Sequence, residues 1–189
     1  MTHTQTPVQQ PSPALSPTSE NAPPARPAPP NRGRRLLAVV RIALGWIFLW
    51  AFLDKLFGLG YDTAPGEAWI DGVSPTAGYL TSRDGSLENQ FQALAGNHWA
   101  DVAFMGGMCA LGIALTLGIG LRLAAIGGSI LMLTMWMSML PLSNNPFMDQ
   151  HVIYALVLVA LALTRAGDTW GLGKPWAATR LVTAVPVLR

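Results

Sequence analysis

The sequence has a single cysteine, Cys109, among its 189 residues. An intrachain disulfide and a CxxC redox pair are therefore both excluded. Cys109 lies inside an apolar run, where a cysteine usually behaves as a small buried hydrophobic residue rather than as a reactive thiol. The H-E-x-x-H, haem-attachment, Walker and serine-nucleophile motifs are also missing. The sequence thus shows none of these common patterns of a complete active site.

Charged residues are scarce as well. Only 12% of the residues are charged, whereas 51% are hydrophobic and the mean hydropathy is +0.35. A soluble domain usually has about 25% charged residues. Several apolar runs approach the roughly 20 residues that cross a bilayer as a helix. This composition predicts a polytopic protein of the lipid bilayer, and the net charge of +2 gives no indication of nucleic-acid binding.

Four apolar segments are present, and their periodicity and boundaries are typical of helices. We predict spans over residues 36–57, 98–117, 123–140 and 146–165, with Asn97 as the N-cap of the second and Asn145 and Pro146 opening the fourth. Small residues four apart in the second span predict a close hairpin with the third; they are Gly106, Ala110, Ala114 and Gly118. The predicted fold is an all-α, integral membrane four-helix bundle.

The remaining segments complete the domain plan. Residues 1–31 are rich in proline, serine and glutamine, a composition that predicts a disordered tail rather than a cleaved signal peptide. Residues 32–170 form the predicted membrane domain, with a long acidic first loop over residues 61–96. Residues 171–189 are expected to form a cytoplasmic or interfacial tail.

The basic residues predict the orientation. They gather before the first span, after the second and after the fourth, and basic flanks stay on the cytoplasmic side. We therefore expect a multi-pass protein of the cell membrane with both termini in the cytoplasm. The acidic first loop is then extracytoplasmic.

Titratable residues converge at the predicted outer face. Asp54 and Lys55 end the first span, and Asp149 and His151 begin the fourth. Charges in spans are costly and often functional, and histidine titrates near neutral pH. We predict that these four residues contact an anion or exchange protons. The alternatives are that Lys55 snorkels outward while Asp54 pairs with it or with water, that Asp149 only complements its helix dipole, and that His151 is a packing residue. Asp101 is interpreted mainly as a partner of its helix dipole.

Three residues of the first span are candidates for contact with a cofactor. Trp46 and Trp50 either pack within the bundle or flank a flat ligand such as a quinone ring, and Arg41 is a charge inside the same span. Met132, Met135 and Met139 share a helix face, which a copper(I) site would require. Methionine is also ordinary apolar filler, and we predict no metal site.

Several short blocks of the sequence match the pattern of a known family of membrane proteins: Arg41–Ile42–Ala43–Leu44–Gly45, Phe48, Lys55–Leu56, Trp69 and Gly118–Ile119–Gly120–Leu121–Arg122. Two further blocks are Ser74–Pro75–Thr76 and Asn145–Pro146–Phe147 through His151. With these residues the sequence resembles the DoxX/DoxD family over about residues 34–174, and the last two blocks point to the DoxD-like branch.

This resemblance implies a membrane subunit of a quinone-linked oxidoreductase, similar to the large subunit of thiosulfate:quinone oxidoreductase. Thiosulfate or a related small sulfur anion would be the electron donor, quinone the cofactor, and a second protein subunit the partner. The alternative is a non-catalytic membrane scaffold that docks soluble redox or oxidative-stress enzymes. A small transporter is less favoured, because the spans show neither an inverted repeat nor a broken midplane helix.

Overall fold

A computed structural model describes residues 32–189. The predicted disordered tail, residues 1–31, lies outside the described residues. The described part of the chain is all-α, as predicted, with eight α-helices and three short 3-10 turns. The helices are α1 Arg32–Phe57, α2 Ala77–Thr81, α3 Glu88–Gln92, α4 His98–Leu117, α5 Leu121–Ser138, α6 Gln150–Leu163, α7 Gly173–Ala177 and α8 Arg180–Ala184. The 3-10 turns are Trp69–Asp71, Ala166–Asp168 and Pro186–Leu188.

Three helices in this part of the chain are long and apolar enough to cross a membrane: α1, α4 and α5. Helix α4 has the predicted bounds, because Asn97 accepts a hydrogen bond from the backbone N–H of Trp99 at 2.9 Å and Gly118 ends the helix in the left-handed region. Gly120, also left-handed, starts α5 after a very short turn. The chain therefore reverses direction between α4 and α5.

Helix α6 is shorter than predicted. The Asn145 side chain accepts hydrogen bonds from the backbone N–H groups of Phe147 and Met148, both at 3.0 Å, and so closes a turn instead of capping a helix. Asp149 is the true N-cap. The predicted start at Pro146 is thus wrong, and the helix has 14 residues.

Helices α1 and α4 approach each other closely, at a contact that was not predicted from the sequence. A Cβ atom on Gly112 of α4 would lie 2.8 Å from Leu49 Cβ of α1, and one on Gly45 would lie 2.8 Å from Thr116. A Cβ on Gly106, by contrast, would meet no atom within 4 Å. Helices α1 and α4 therefore pack backbone to backbone. Of the series predicted to contact α5, Ala110 and Ala114 do face α5, but a groove lies between the two helices.

A single buried apolar cluster joins the four longer helices. Helices α1, α4, α5 and α6 all contribute side chains to it. The ring of Phe48 in α1 meets that of Tyr154 in α6 edge-on, with centroids 6.3 Å apart. The residues of the cluster are Leu44, Phe48, Leu111, Leu115, Leu121, Ala124, Ala125, Met132, Ala155, Leu158, Leu161 and Ala166.

Charge is sorted between the two ends of the helices. We call the end formed by the start of α1, the α4–α5 turn and the segment after α6 the basic end, and the opposite end the acidic end. In the described part of the chain, the basic end has Arg32, Arg34, Arg35, Arg41, Arg122, Arg165, Lys174, Arg180 and Arg189 against Asp168. The acidic end has Asp54, Asp62, Glu67, Asp71, Asp84, Glu88, Asp101 and Asp149 against Lys55 and Arg83.

Candidate functional site

Asp149 and His151 form a hydrogen-bonded pair at the start of α6. Asp149 Oδ1 accepts from the backbone N–H groups of His151 at 3.0 Å and Val152 at 3.2 Å. Asp149 Oδ2 lies 2.5 Å from His151 Nδ1, and His151 is only 6% exposed. A carboxylate on Nδ1 fixes the orientation of the imidazole ring. Nε2, which makes no hydrogen bond with the described residues, is then a nitrogen at which a proton can enter or leave.

The same contacts keep Asp149 ionised. Burial acts to raise the pKa of the Asp149 carboxyl, but the hydrogen bonds from His151 and the backbone of Val152 outweigh it and hold the pKa below its ordinary value of 3.8. The pair therefore presents an anionic carboxylate that is hydrogen-bonded to an imidazole ring.

A polar cavity of about 280 Å³ borders this pair. Asp149 lines it, together with Arg83 and Asp84 of the first loop and Ser138 at the end of α5. His151 is not among the lining residues, but it contacts one of them, Asp149. With neutral His151, Arg83 and the two carboxylates give the site a formal charge of about −1, which a protonated His151 would cancel.

Tyr79 fixes Arg83 at this cavity. The guanidinium carbon of Arg83 lies 4.2 Å from the centroid of the Tyr79 ring, and its Nε donates to the Tyr79 carbonyl at 3.0 Å. The Tyr79 hydroxyl is hydrogen-bonded to Ser138 Oγ at 2.8 Å. Neither Arg83 nor Tyr79 could be predicted as a site residue, since nothing in a loop sequence shows which helix end the loop will cover.

Asp54 holds the start of the first loop. Its carboxylate accepts hydrogen bonds from the backbone N–H groups of Tyr61 at 3.3 Å and of Asp62 and Thr63 at 2.9 Å. Asp54 is 1% exposed. The neighbouring Lys55 is half-buried and makes no hydrogen bond or ion pair with the described residues. The two adjacent residues thus differ: the Asp54 carboxylate accepts three hydrogen bonds, whereas the Lys55 ammonium has no partner among the described residues.

Asp101 holds a second point of the same loop. Its Oδ1 accepts from the hydroxyls of Ser74 at 2.8 Å and Thr76 at 2.6 Å, and from the Thr76 backbone N–H at 3.3 Å. These residues belong to the Ser74–Pro75–Thr76 block. Asp101 therefore does more than oppose a helix dipole, because it fixes a loop to the first turn of α4.

Trp46 and Trp50 lie on the outer side of α1. Trp46 is 54% exposed. The two ring centroids are 5.7 Å apart at an angle of 35°, and Trp50 also meets Tyr61 edge-on at 5.1 Å. A ring placed between two aromatic faces needs about 7 Å, or two contact distances. A quinone does not fit between these two tryptophans, and only an outer face of the pair is open to one.

Arg41 lies at the basic end, far along α1 from Asp54. It is fully buried, and its Nη1 donates to the carbonyls of Leu115 and of Thr116, the latter at 3.0 Å. Its Nη2 donates to the carbonyl of Trp170 at 2.9 Å. The guanidinium therefore neutralises the negative end of α4 and ties it to the segment after α6.

The predicted site residues do not surround one cavity. Asp149 alone among the seven lines one of the three cavities described for residues 32–189. Asp54, Lys55, Asp149 and His151 share the acidic end, Trp46 and Trp50 lie on the outside of α1, and Arg41 lies at the basic end. In this part of the chain, no group of three histidine, cysteine, aspartate or glutamate side chains could hold a metal ion.

The long apolar helices define the chain as a multi-pass membrane protein with an all-α fold. The profile of the DoxX family matches residues 36–141, more than half of the chain, and the chain belongs to this family. No curated protein and no solved structure matches it. The matched region ends before α6, so the Asp149–His151 pair lies outside it.

Proposed function

We propose that this DoxX-family protein is the membrane subunit of a quinone-linked oxidoreductase of the DoxD-like branch. Thiosulfate or a related small sulfur compound is the proposed donor, and a second subunit the proposed partner. The observation that supports this function best is the pairing of Asp149 with His151 at 2.5 Å beside a polar cavity. Reduction of a quinone to a quinol consumes one proton with each electron, and this pair can hold one.

In this proposal each residue at the cavity has a distinct role. Asp149, ionised and in the wall, accepts a hydrogen bond from a water molecule. His151 stores a proton behind it. Arg83, held by Tyr79, offers the remaining N–H donors to an anion. Because the site is net negative with neutral His151, we expect a sulfur anion to bind best when His151 is protonated.

The quinone contact is proposed only for an outer face of the tryptophan pair. The space between Trp46 and Trp50 is too narrow for a ring, and neither residue shares the cavity of Asp149. A proton held by the Asp149–His151 pair must therefore reach a quinone at that face through water. Lys55, half-buried and without a partner in the described part of the chain, is the proposed contact for a quinone oxygen or an anion at the acidic end.

We also propose that α6 completes a four-helix bundle with both termini in the cytoplasm. Side chains of α6 enter the same buried cluster as those of the three longer helices. Basic residues gather at the end where the described chain begins and finishes, and such flanks stay in the cytoplasm. A reporter enzyme that is active only outside the cytoplasm should be active when it is fused after Asp84. A reporter that is active only in the cytoplasm should be active when it is fused after Arg189.

The function is tested by thiosulfate-dependent quinone reduction in membranes that hold the full chain and its co-purifying proteins. We expect activity that depends on the chain and falls when Lys55→Ala is introduced. Equal rates with and without the chain would exclude the oxidoreductase function. Equal rates for Lys55→Ala and the unaltered chain would remove only Lys55 from it.

A scaffold for soluble redox enzymes is the second candidate. Two buried carboxylates, Asp54 and Asp101, hold the first loop in a defined shape, and that loop exposes Ile70 and Val73. A fixed loop with exposed apolar side chains suits protein docking. Affinity purification separates the candidates, because stable partners without quinone-dependent turnover are expected only from a scaffold.

A further inference from the structure

A second cavity, of about 180 Å³, lies at the basic end. It is enclosed by the start of α5, the end of α6 and the C-terminal segment. Arg122, Arg165 and Arg189 line it, with Asp168 as the only lining carboxylate. Asp168 Oδ2 lies 3.8 Å from Arg189 Nη2, so one of the three arginines is already paired. We call this the basic cavity.

The other two arginines retain donors for a ligand. Arg122 Nη1 donates to the carbonyl of Pro186 at 2.9 Å, which occupies one of its five N–H groups. Arg165 makes no side-chain hydrogen bond or ion pair with the described residues. Guanidinium groups form paired hydrogen bonds with phosphate oxygens. The basic cavity is therefore suited to a phosphate group.

An apolar groove adjoins the basic cavity. It has a volume of about 410 Å³ and lies between α4 and α5, lined by residues such as Gly107, Ala114, Gly120 and Gly127. Trp176 lines both the groove and the basic cavity. Its Nε1 donates to the Leu188 carbonyl at 2.6 Å, which fixes the indole where the two spaces meet. We call this space the small-residue groove.

The groove has the length of half a bilayer. From the α4–α5 turn to Gly107 it follows about 12 residues, or about 18 Å of helix. Half of the hydrocarbon core is about 15 Å. The groove therefore begins at the charged end of the helices and finishes near the membrane midplane, as an acyl chain does when its headgroup lies at that surface.

We propose that one anionic phospholipid binds here, with its phosphate in the basic cavity and an acyl chain in the small-residue groove. Because the basic cavity adjoins the small-residue groove, the site favours this lipid over free phosphate, which would leave the groove empty. It also favours a lipid over a second copy of the chain, because a helix of another copy would bring no phosphate to the arginines. This inference is independent of the proposed oxidoreductase function.

Native mass spectrometry of the full chain in detergent tests the site. The probes are phosphatidylglycerol and phosphatidylcholine with identical acyl chains, and inorganic phosphate as competitor. We expect one phosphatidylglycerol to remain bound, several-fold more often than phosphatidylcholine. Arg165→Gln should weaken its binding about fivefold, which corresponds to the roughly 1 kcal/mol that one basic residue contributes at an anionic lipid surface. Arg180→Gln, a change of the same charge at the same end but outside both cavities, should leave binding unchanged.

A glycine pair tests the acyl chain separately. A Cβ atom on Gly127 or on Gly106 would meet nothing within 4 Å, but only Gly127 lines the groove. Gly127→Leu should therefore reduce phosphatidylglycerol binding, and Gly106→Leu should not. Equal binding of both lipids, or no effect of Arg165→Gln, would overturn the inference. Displacement of the lipid by millimolar phosphate with no effect of Gly127→Leu would show a phosphate site without a lipid and overturn it as well.

Discussion

Thr76 Oγ1 donates a hydrogen bond to Asp101 Oδ1 at 2.6 Å across 25 positions of the chain. The bond fixes the middle of the first loop to the start of α4. Asp54 does the same for the beginning of the loop through three backbone N–H groups. The carboxylates of Asp54 and Asp101 thus fix the conformation of the first loop. The loop in turn places Tyr79 and Arg83 at the cavity of Asp149.

Replacing Asp101 should loosen this loop. Asp101→Ala leaves two hydroxyls and one N–H without their acceptor, and hydrogen bonds to charged groups contribute about 1.5–3 kcal/mol each. We expect faster proteolysis between residues 61 and 96 and a lower melting temperature. The control is Asp62→Ala, an exposed side chain in the same loop. Equal protease sensitivity of the two variants would contradict the role assigned to Asp101.

The contact between α1 and α4 should not tolerate a methyl group. Gly112→Ala places a Cβ 2.8 Å from Leu49 Cβ, so the helices must separate, and overpacking of this kind costs about 1–3 kcal/mol. Thermal unfolding in detergent measures the loss. Gly106→Ala is the matched control on the same helix and should be neutral or slightly stabilising. A stable Gly112→Ala variant would show that the two helices are not in close contact.

Arg41 should be required for folding rather than for turnover. Arg41→Gln leaves buried carbonyls of α4 and of the segment after α6 without donors, at about 1–3 kcal/mol for each unsatisfied group. We expect less folded protein in the membrane, measured by fluorescence-detected size exclusion. The remaining folded fraction should keep its specific activity, and a selective loss of activity at normal folded yield would return Arg41 to the candidate site.

The bounds of α4 could be predicted because Asn97 and Gly118 act locally, whereas α5 begins two residues earlier than predicted, at Leu121. The DoxX family could be recognised from motifs within the matched region. The start of α6 could not be predicted, since both Asn145 and Asp149 are good caps and the structure uses Asn145 for a turn. The small residues Ala110 and Ala114 face α5, as their spacing predicts, but a groove lies between the two helices and the backbone contact of α4 is with α1, which spacing alone does not indicate. The site was only partly predictable for a similar reason: Arg83 reaches Asp149 through a loop whose path depends on Asp54 and Asp101.

Acid should destabilise the start of α6. The pKa of Asp149 is held below 3.8 in the folded chain by its contacts with His151 and Val152. A carboxyl with a lowered pKa stabilises the folded state above its ordinary pKa, and that contribution is lost as the pH falls through the lower, folded value. Melting temperatures between about pH 5 and pH 2 should therefore fall less for Asp149→Asn than for the unaltered chain. If the melting temperatures of Asp149→Asn and of the unaltered chain fell by the same amount over this pH range, the contact of Asp149 with His151 and Val152 would be contradicted.

The most direct test of the central claim is the rate of thiosulfate-dependent quinone reduction by His151→Gln in membranes with its co-purifying proteins. A side chain that transfers a proton usually contributes about 100-fold or more to the rate, and we expect a loss of that size with folded yield unchanged. His98→Gln, an exposed histidine at the same end, should retain full activity. If His151→Gln and His98→Gln turn over at the same rate as the unaltered chain, the Asp149–His151 pair is not the site of the reaction.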